Sequence, residues 1–333
     1  MDDAVSAPLV FMHLLADRKG KLSALQLAFG AGKTEQLEQL LPLAEHSDFL
    51  DLAQRLPCIL TDCTPAGAFA DALETAMCKP VSSSAIARAD SELARDYPPG
   101  IEWVSGNWYF AAPVKPSGTQ AASRALALQL VQLVAADADN REIEEVFRRD
   151  PTLSYQLLRL VNSLGVGAGR RIASFSQAIV ILGRNQLRRW LNLMLFAARD
   201  GDLRSAMLLA RVAVRSRAME LLAYASGLDK SLQEQAFMAG MFSLLGVLFG
   251  SPLEEVLKPL AIGDAMEGAV LRREGELGRL LTLLESAEDG HFDAVAEALA
   301  AIGVDAAEFN LAVVQANNWM LTVVQDSQGK GND

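Results

Sequence analysis

The sequence predicts a mainly α protein in which an all-helical C-terminal bundle follows a small α/β or α+β domain. Three observations predict it. Residues 150–163, DPTLSYQLLRLVNS, carry the caps and spacing of an amphipathic helix, and helical patterns continue from there almost to the C-terminus. Strand-like stretches are confined to the first 113 residues. Between the two regions KPSGTQ (115–120), with Pro116 and Gly118, has the composition of a linker. At 333 residues the chain is long enough for two domains, each with its own core. The expected division is 1–114, a linker at 115–122, a helical domain at 123–325, and a disordered tail at 326–333.

In the first region, APLVFMHLL (7–15) and KLSALQLAF (21–29) flank the polar turn DRKG, whose Gly20 suits a hairpin-like reversal. LPCILTD (56–62) is another strand candidate, and the alanines and leucines of TPAGAFADALETAM (64–77) favour a helix. IEWVSGNWYFAAP (101–113) reads as one or two strands around Gly106, ended by Pro113. Strands alternating with helices suggest an α/β unit.

In the second region helices are expected near 121–136, 140–149, 151–163, 174–182, 185–199, 203–226, 231–248, 252–260, 264–272, 276–288, 292–302 and 305–324. Asp150 caps the third of these and Pro151 sits at its first position, where its missing N–H costs nothing. Leu153, Leu157, Leu160 and Val161 give that helix an apolar face. Ser174 opens the next helix and Gly183 closes it. The helices are spaced as in a compact bundle, without the fixed repeat of a solenoid.

Composition limits the function classes. The apolar runs, such as ALALQLVQLVAA (125–136), are too short and too amphipathic to span a membrane. The acidic start MDDAVSAPLV lacks the basic residues of an export signal, which predicts a cytoplasmic protein. Cys58, Cys63 and Cys78 form no paired motif, and His13, His46 and His291 are the only histidines, so free thiols are expected in place of a zinc site or disulfide framework. A net charge of −11 opposes non-specific nucleic-acid binding, and no DNA partner is expected.

Against that background, residues 148–189 hold eight arginines and one acid, Asp150. Arginine forms forked contacts with phosphate and carboxylate. Arg159, Arg170, Arg171, Arg188 and Arg189 are therefore candidates for contact with an anion or a protein partner, the alternative being pairing with acids such as Glu142, Glu144 and Glu145. GVGAG (165–169) lacks both the preceding strand and the Gly-Lys-Ser/Thr of a phosphate loop, and reads as a helix-to-helix loop. Trp103, Trp108, Tyr109 and Phe110 read mainly as core, as do Trp190 and the stripe Met238, Met241, Phe242. With so few histidines a Ser-His-Asp triad finds no support.

The run DPTLSYQLLRLVNS, RRIASFSQAIVILG (170–183) and NQLRRWLNLMLF (185–196) resembles the start of an HDOD domain, the helical, non-catalytic relative of HD-type phosphohydrolases in bacterial signalling proteins. QAFMAGMFSLLGVLFGSPLEEVLKPLAI (235–262) is similar to a later part of the same family. HD enzymes carry an adjacent His-Asp metal-binding pair there. Aligning Gly240 and Gly246 puts Ser243 and Leu244 in its place, and neither is a suitable ligand for a hydrolytic divalent ion.

Residues 271–320 resemble the C-terminal part of a subgroup in which HDOD follows an EAL domain, a barrel that hydrolyses cyclic di-GMP. VFMHLLADRKGKLSALQLAF (10–29) resembles the opening of an EAL domain, with Gln26 where its metal-binding glutamate belongs. SGNWYFAAP (105–113) resembles its closing segment, with Ser105 in the place of a glutamine. A barrel of eight strands and helices takes about 250 residues, and the middle is missing. The resemblance therefore implies a shortened, degenerate EAL barrel remnant in front of an HDOD bundle.

The function so implied is a non-enzymatic regulator that works through a protein partner of its HDOD domain, with no cofactor and no membrane attachment. The alternative is a receptor for cyclic di-GMP or another nucleotide, without turnover. The sequence fixes neither the partner nor the oligomeric state.

Overall fold

A computed structural model describes residues 8–30, 34–63, 65–113, 202–260 and 262–328, with isolated positions between 126 and 196. Most of the expected helices at 121–136, 140–149 and 185–199, all of those at 151–163 and 174–182, and the final residues 329–333 lie outside the described residues.

The N-terminal hairpin forms as its pattern predicts. Strand β1 (Val10–Ala16) pairs antiparallel with β2 (Leu22–Phe29), with His13 opposite Gln26. The turn is held by Asp17, whose carboxylate accepts from the amides of Lys19 at 2.8 Å and Lys21 at 2.9 Å, while Gly20 takes a φ of +81° that other residues resist. Strand β3 (Cys58–Leu60) lies parallel to β2, and a two-residue β4 (Lys79–Pro80) extends the sheet. On the other side β6 (Trp103–Ser105) pairs antiparallel with β1 and parallel with β5 (Ile86–Arg88).

The sheet is six-stranded and mixed, in the order β4-β3-β2-β1-β6-β5. This corrects the expectation of a truncated EAL barrel. Such a barrel is built from parallel strands that close on themselves through crossover helices. Here β1 sits inside the sheet, antiparallel to both neighbours, and the sheet ends in the short edges β4 and β5. The Trp108–Phe110 segment, expected to be strand, is a 3-10 turn.

The sheet curls toward one face. Leu15, Ala24 and Ile59 form a small cluster there, and Val81 beyond β4 and Ile86 on β5, from opposite edges, both pack against it with Trp103. Helices line the other side. After a 3-10 segment at Thr34–Leu40 come α1 (Leu41–Ala44), α2 (Ser47–Arg55) and, beyond β3, α3 (Gly67–Thr75). Helix α2 is capped by His46, whose Nδ1 accepts from the Asp48 amide at 3.1 Å, and it buries Phe49, Leu52 and Ala53 at helical spacing.

The C-terminal part is helical, as expected. Helix α4 (Ser205–Ala225) is buried on almost every side, the mark of a central helix. Helix α5 (Lys230–Phe242) starts at Asp229, whose carboxylate accepts from the Leu232 amide. The expected helix at 231–248 is broken at Ser243-Leu244, and α6 (Leu245–Phe249) follows, ended by Gly250 in the left-handed region. Next come α7 (Leu253–Leu257), α8 (Asp264–Arg272), α9 (Gly275–Glu288), α10 (Phe292–Ile302) and α11 (Ala306–Gln328). The stretch Lys230–Phe249 is long and apolar enough to cross a membrane by length and composition alone, but half of it is buried inside the protein.

One continuous hydrophobic core joins sheet and helices, from Leu9 to Val324. Helix α11 is tied to the sheet side through polar groups. Asn310 accepts from the Val10 amide at 2.7 Å and donates to the Pro8 carbonyl at 2.9 Å, so its side chain stands in for a neighbouring strand. Asn318 donates to the Asp48 carbonyl at 2.9 Å and accepts from Arg55 at 3.1 Å, which docks α11 on α2.

Candidate functional site

Strand alternation places Leu15, Ala24, Ile59 and Trp103 on the inner face of the curled sheet. Two residues further along the same strands, the same rule puts His13, Gln26, Thr61 and Ser105 in a layer above them, with Arg88 opposite Ser105. The layer is polar and only partly buried, and Arg88 is exposed at its margin beside Asp90. Gln26 donates to the Thr61 hydroxyl at 2.6 Å. Asp62, the next residue, has a φ of +53°, so the chain turns sharply at this end of β3.

Behind this layer lies a buried ionic network supplied by five elements. Arg211 and Arg215 are one turn apart on α4, and so point the same way. Arg215 grips Glu288 of α9 with two prongs, Nε to Oε1 at 2.9 Å and Nη2 to Oε2, and its Nη1 donates to the Ser243 hydroxyl at 2.8 Å. Arg211 donates to the Tyr109 hydroxyl through Nε at 3.1 Å and Nη2 at 2.8 Å, and lies 3.6 Å from Glu288. Glu285 stands 3.7 Å from Arg215 and accepts two bonds of 2.8 Å from Arg273.

Helix packing makes the network possible. A Cβ at Gly240 would lie 2.7 Å from the Cα of Ser216, so α4 and α5 cross at a distance only glycine permits. That approach carries Ser243, at the C-terminal end of α5, to Arg215.

Electrostatics fixes the charge states. Burial opposes ionisation of Glu288, but the guanidiniums of Arg215 and Arg211 outweigh it and hold the carboxyl below its ordinary range. His13 is driven the other way from a normal imidazole. Burial and then the charge of Arg211 lower it to about 4, so it is neutral at physiological pH. A neutral imidazole, an amide and two hydroxyls offer hydrogen bonds to a polar ligand, with Arg88 at the margin held by Asp90 at 2.8 Å.

The structure sorts the sequence candidates. Gln26 lies in the inner-face layer. Ser243 joins the ionic network and also donates to the Gly240 carbonyl at 2.6 Å. Leu244 is buried in the core at 3 % exposure. These residues do not fit a metal: the Ser243 hydroxyl is already bonded, and the guanidinium beside it repels a cation. Among the described residues no three His, Cys, Asp or Glu are grouped to hold a metal ion. Arg189 is half-buried, bonded to Glu220 and stacked 4.7 Å over the Phe237 ring. Arg159, Arg170, Arg171 and Arg188 lie outside the described residues. Trp108 and Tyr109 are core residues, as read.

Sequence reasoning missed Arg211, Arg215 and Glu288, and His13 as part of a site. The signal was present. Arg211 and Arg215, four apart, fall among the apolar residues of a long helix, and His13 is the one polar residue of a buried strand, VFMHLLA.

Comparison with known proteins bears on the helical part of the chain. Residues 122–258 match the sequence profile of the HDOD domain. This stretch of the chain is an HDOD domain. It is 31% identical over 195 residues to the cyclic di-GMP phosphodiesterase CdgJ of Vibrio cholerae serotype O1, a match covering 58% of this chain and 45% of that protein. It is 28% identical over 159 residues to YuxH, an uncharacterized protein of Bacillus subtilis (strain 168), covering 47% of this chain and 38% of the relative. The HDOD chain thus spans less than half the length of these two relatives. An HDOD domain protein of unknown function from Geobacter sulfurreducens shares 14% identity and a TM-score of 0.37 over 65% of this chain and 92% of its own. A Shewanella amazonensis SB2B chain with a provisional phosphohydrolase name shares 16% identity and a TM-score of 0.44 over 61% of this chain and 93% of its own. Both structural likenesses are too loose to argue from.

The relative's name corrects one expectation. A protein that matches more than half of this chain is named a phosphodiesterase, so the reading of this HDOD protein as a non-enzyme falls. Catalysis stands among the activities to be measured.

Proposed function

We propose that this HDOD protein acts in cyclic di-GMP signalling, taking the nucleotide at the inner-face layer of its sheet and passing the signal to a protein partner through its helices. The observation that carries the reading is the Arg211–Tyr109–Glu288–Arg215–Ser243 network, which connects the sheet side to three helices without a break. A ligand that displaced His13 would act on a group that feels the charges of Arg211 and Glu288. The name of the Vibrio cholerae relative supports the choice of nucleotide.

The arginine-rich stretch supports the partner half of the proposal. Arg189 is committed to Glu220, so contact with an acidic or phosphorylated partner would fall to Arg159, Arg170, Arg171 and Arg188. Replacing Arg170 and Arg171 with alanine is expected to leave the unfolding transition in place and weaken partner capture. Unchanged capture removes this stretch from consideration.

The decisive experiment is calorimetric titration with cyclic di-GMP, with and without magnesium, followed by mass spectrometry of the mixture. Saturable heat that weakens in Gln26→Ala and Arg88→Ala supports the proposal, and the mass spectrum shows whether the bound nucleotide is cleaved. Absence of both heat and product overturns it.

A further inference from the structure

Cys58 and Cys78 are twenty residues apart in sequence, yet face each other across the sheet. Ile59 pairs with Lys79 and Leu60 with Pro80 in parallel register, and stepping back one residue sets Cys58 opposite Cys78. Facing Cα atoms on neighbouring strands are about 5 Å apart, inside the roughly 4.4–6.8 Å span of a disulfide. Both side chains are on the core side of the sheet, where the Cys58 thiol donates to the Leu56 carbonyl at 3.7 Å. The neighbouring Cys78 thiol and burial push the Cys58 thiol up.

Access is from the Cys78 side. Met77 before it is 61 % exposed at a φ of +61°, and both residues of the edge strand after it are exposed. Cys78 itself is 7 % exposed and Cys58 1 %, so an oxidant meets Cys78 first, at the edge of the sheet.

We propose that Cys58 and Cys78 are a modification site that closes to a disulfide when the protein meets a peroxide, clamping edge strand β4 to β3. In the first step the Cys78 thiolate attacks one peroxide oxygen. An S–O bond forms, the O–O bond breaks, and hydroxide leaves, so that sulfur is oxidised to sulfenic acid and the peroxide is reduced. In the second step the Cys58 sulfur attacks the Cys78 sulfur. The S–S bond forms, the S–O bond breaks, and the Cys58 proton leaves with the hydroxyl as water. A thiol reductant reverses the linkage.

The test uses the full chain. Protein is treated with hydrogen peroxide, denatured in acid, and its remaining thiols are capped with a maleimide before non-reducing digestion and mass spectrometry. The expected main species joins the Cys58 and Cys78 peptides, lighter by two hydrogens than their sum. It is lost on reduction and unchanged in Cys63→Ser. Recovery of Cys58 and Cys78 as capped thiols, or a linkage that uses Cys63 instead, overturns the proposal.

Discussion

Arg215 and Glu288 form a two-pronged ion pair in the interior, joining the central helix α4 to the end of α9. Two charges removed from water are tolerable only while each compensates the other. Replacing Glu288 with glutamine leaves two arginines without their shared counter-charge. A loss of about 3–5 kcal/mol is expected, read from the midpoint of urea unfolding. A smaller change, near that of a surface substitution, would show that Glu285 takes over both arginines.

The same pair sets an acid limit. The folded Glu288 carboxyl lies below its unfolded value, so its contribution is complete above the usual carboxylate range and is lost as pH falls through the lower, folded value. The stability gap between the wild type and Glu288→Gln should therefore be constant near neutrality and narrow only in acid. A gap that widens in acid contradicts the assignment.

His13 works in a different window. Its folded pKa, lowered to about 4 by burial and by Arg211, lies below the unfolded 6.5. Between those values the unfolded chain binds a proton that the folded chain refuses, so stability falls as pH drops from 6.5 to 4. The residue is partly exposed, and solvent screening reduces the effect to about 1–3 kcal/mol. Unfolding curves at pH 7 and pH 4.5 should differ less in His13→Gln than in the wild type, and an equal difference would place the pH sensitivity elsewhere.

Gly240 tests the helix crossing that brings Ser243 to Arg215. Alanine is the better helix former by up to about 1 kcal/mol. Its Cβ, however, would meet backbone atoms of Ser216 at 2.7 Å and 3.0 Å, which cannot swing away as a side chain would. Gly240→Ala should destabilise by about 1–3 kcal/mol and lengthen the Arg215 contact, visible as faster hydrogen exchange across α4 and α5. A stabilised variant would mean that the two helices have room to part.

Elements with a strong local pattern were legible in the sequence: the hairpin β1–β2, the helix over 67–75, and α8 to α11, each marked by alternation, a cap or a closing glycine. The break of the long helix at Ser243-Leu244 was not, because the two residues are ordinary within a helix and the partner of Ser243 at the break, Arg215, lies 28 residues away. Nor was the sheet order. The antiparallel placement of β6 beside β1 rests on one facing pair, Ala16 and Val104, 88 residues apart. The site was half legible. Gln26 and Ser243 were singled out one at a time from resemblance, whereas the ionic network around Ser243 is built from charges on helices far apart in sequence.

Asn310 offers the sharpest test of how the helices hold the sheet. Its side chain accepts from the Val10 amide and donates to the Pro8 carbonyl, both buried, where no strand completes β1. Replacing it with leucine keeps the bulk but orphans one donor and one acceptor. At about 1–3 kcal/mol for each unpaired buried group, the cost should be roughly 2–5 kcal/mol, with the Val10 amide exchanging far faster than in the wild type. Asn310→Asp separates the two bonds. Its carboxylate still accepts from Val10 but sets a negative oxygen against the Pro8 carbonyl, so Val10 should stay protected while stability falls. If Val10 exchanges at the wild-type rate in Asn310→Leu, the start of β1 is held by apolar packing alone and the polar tie is incidental.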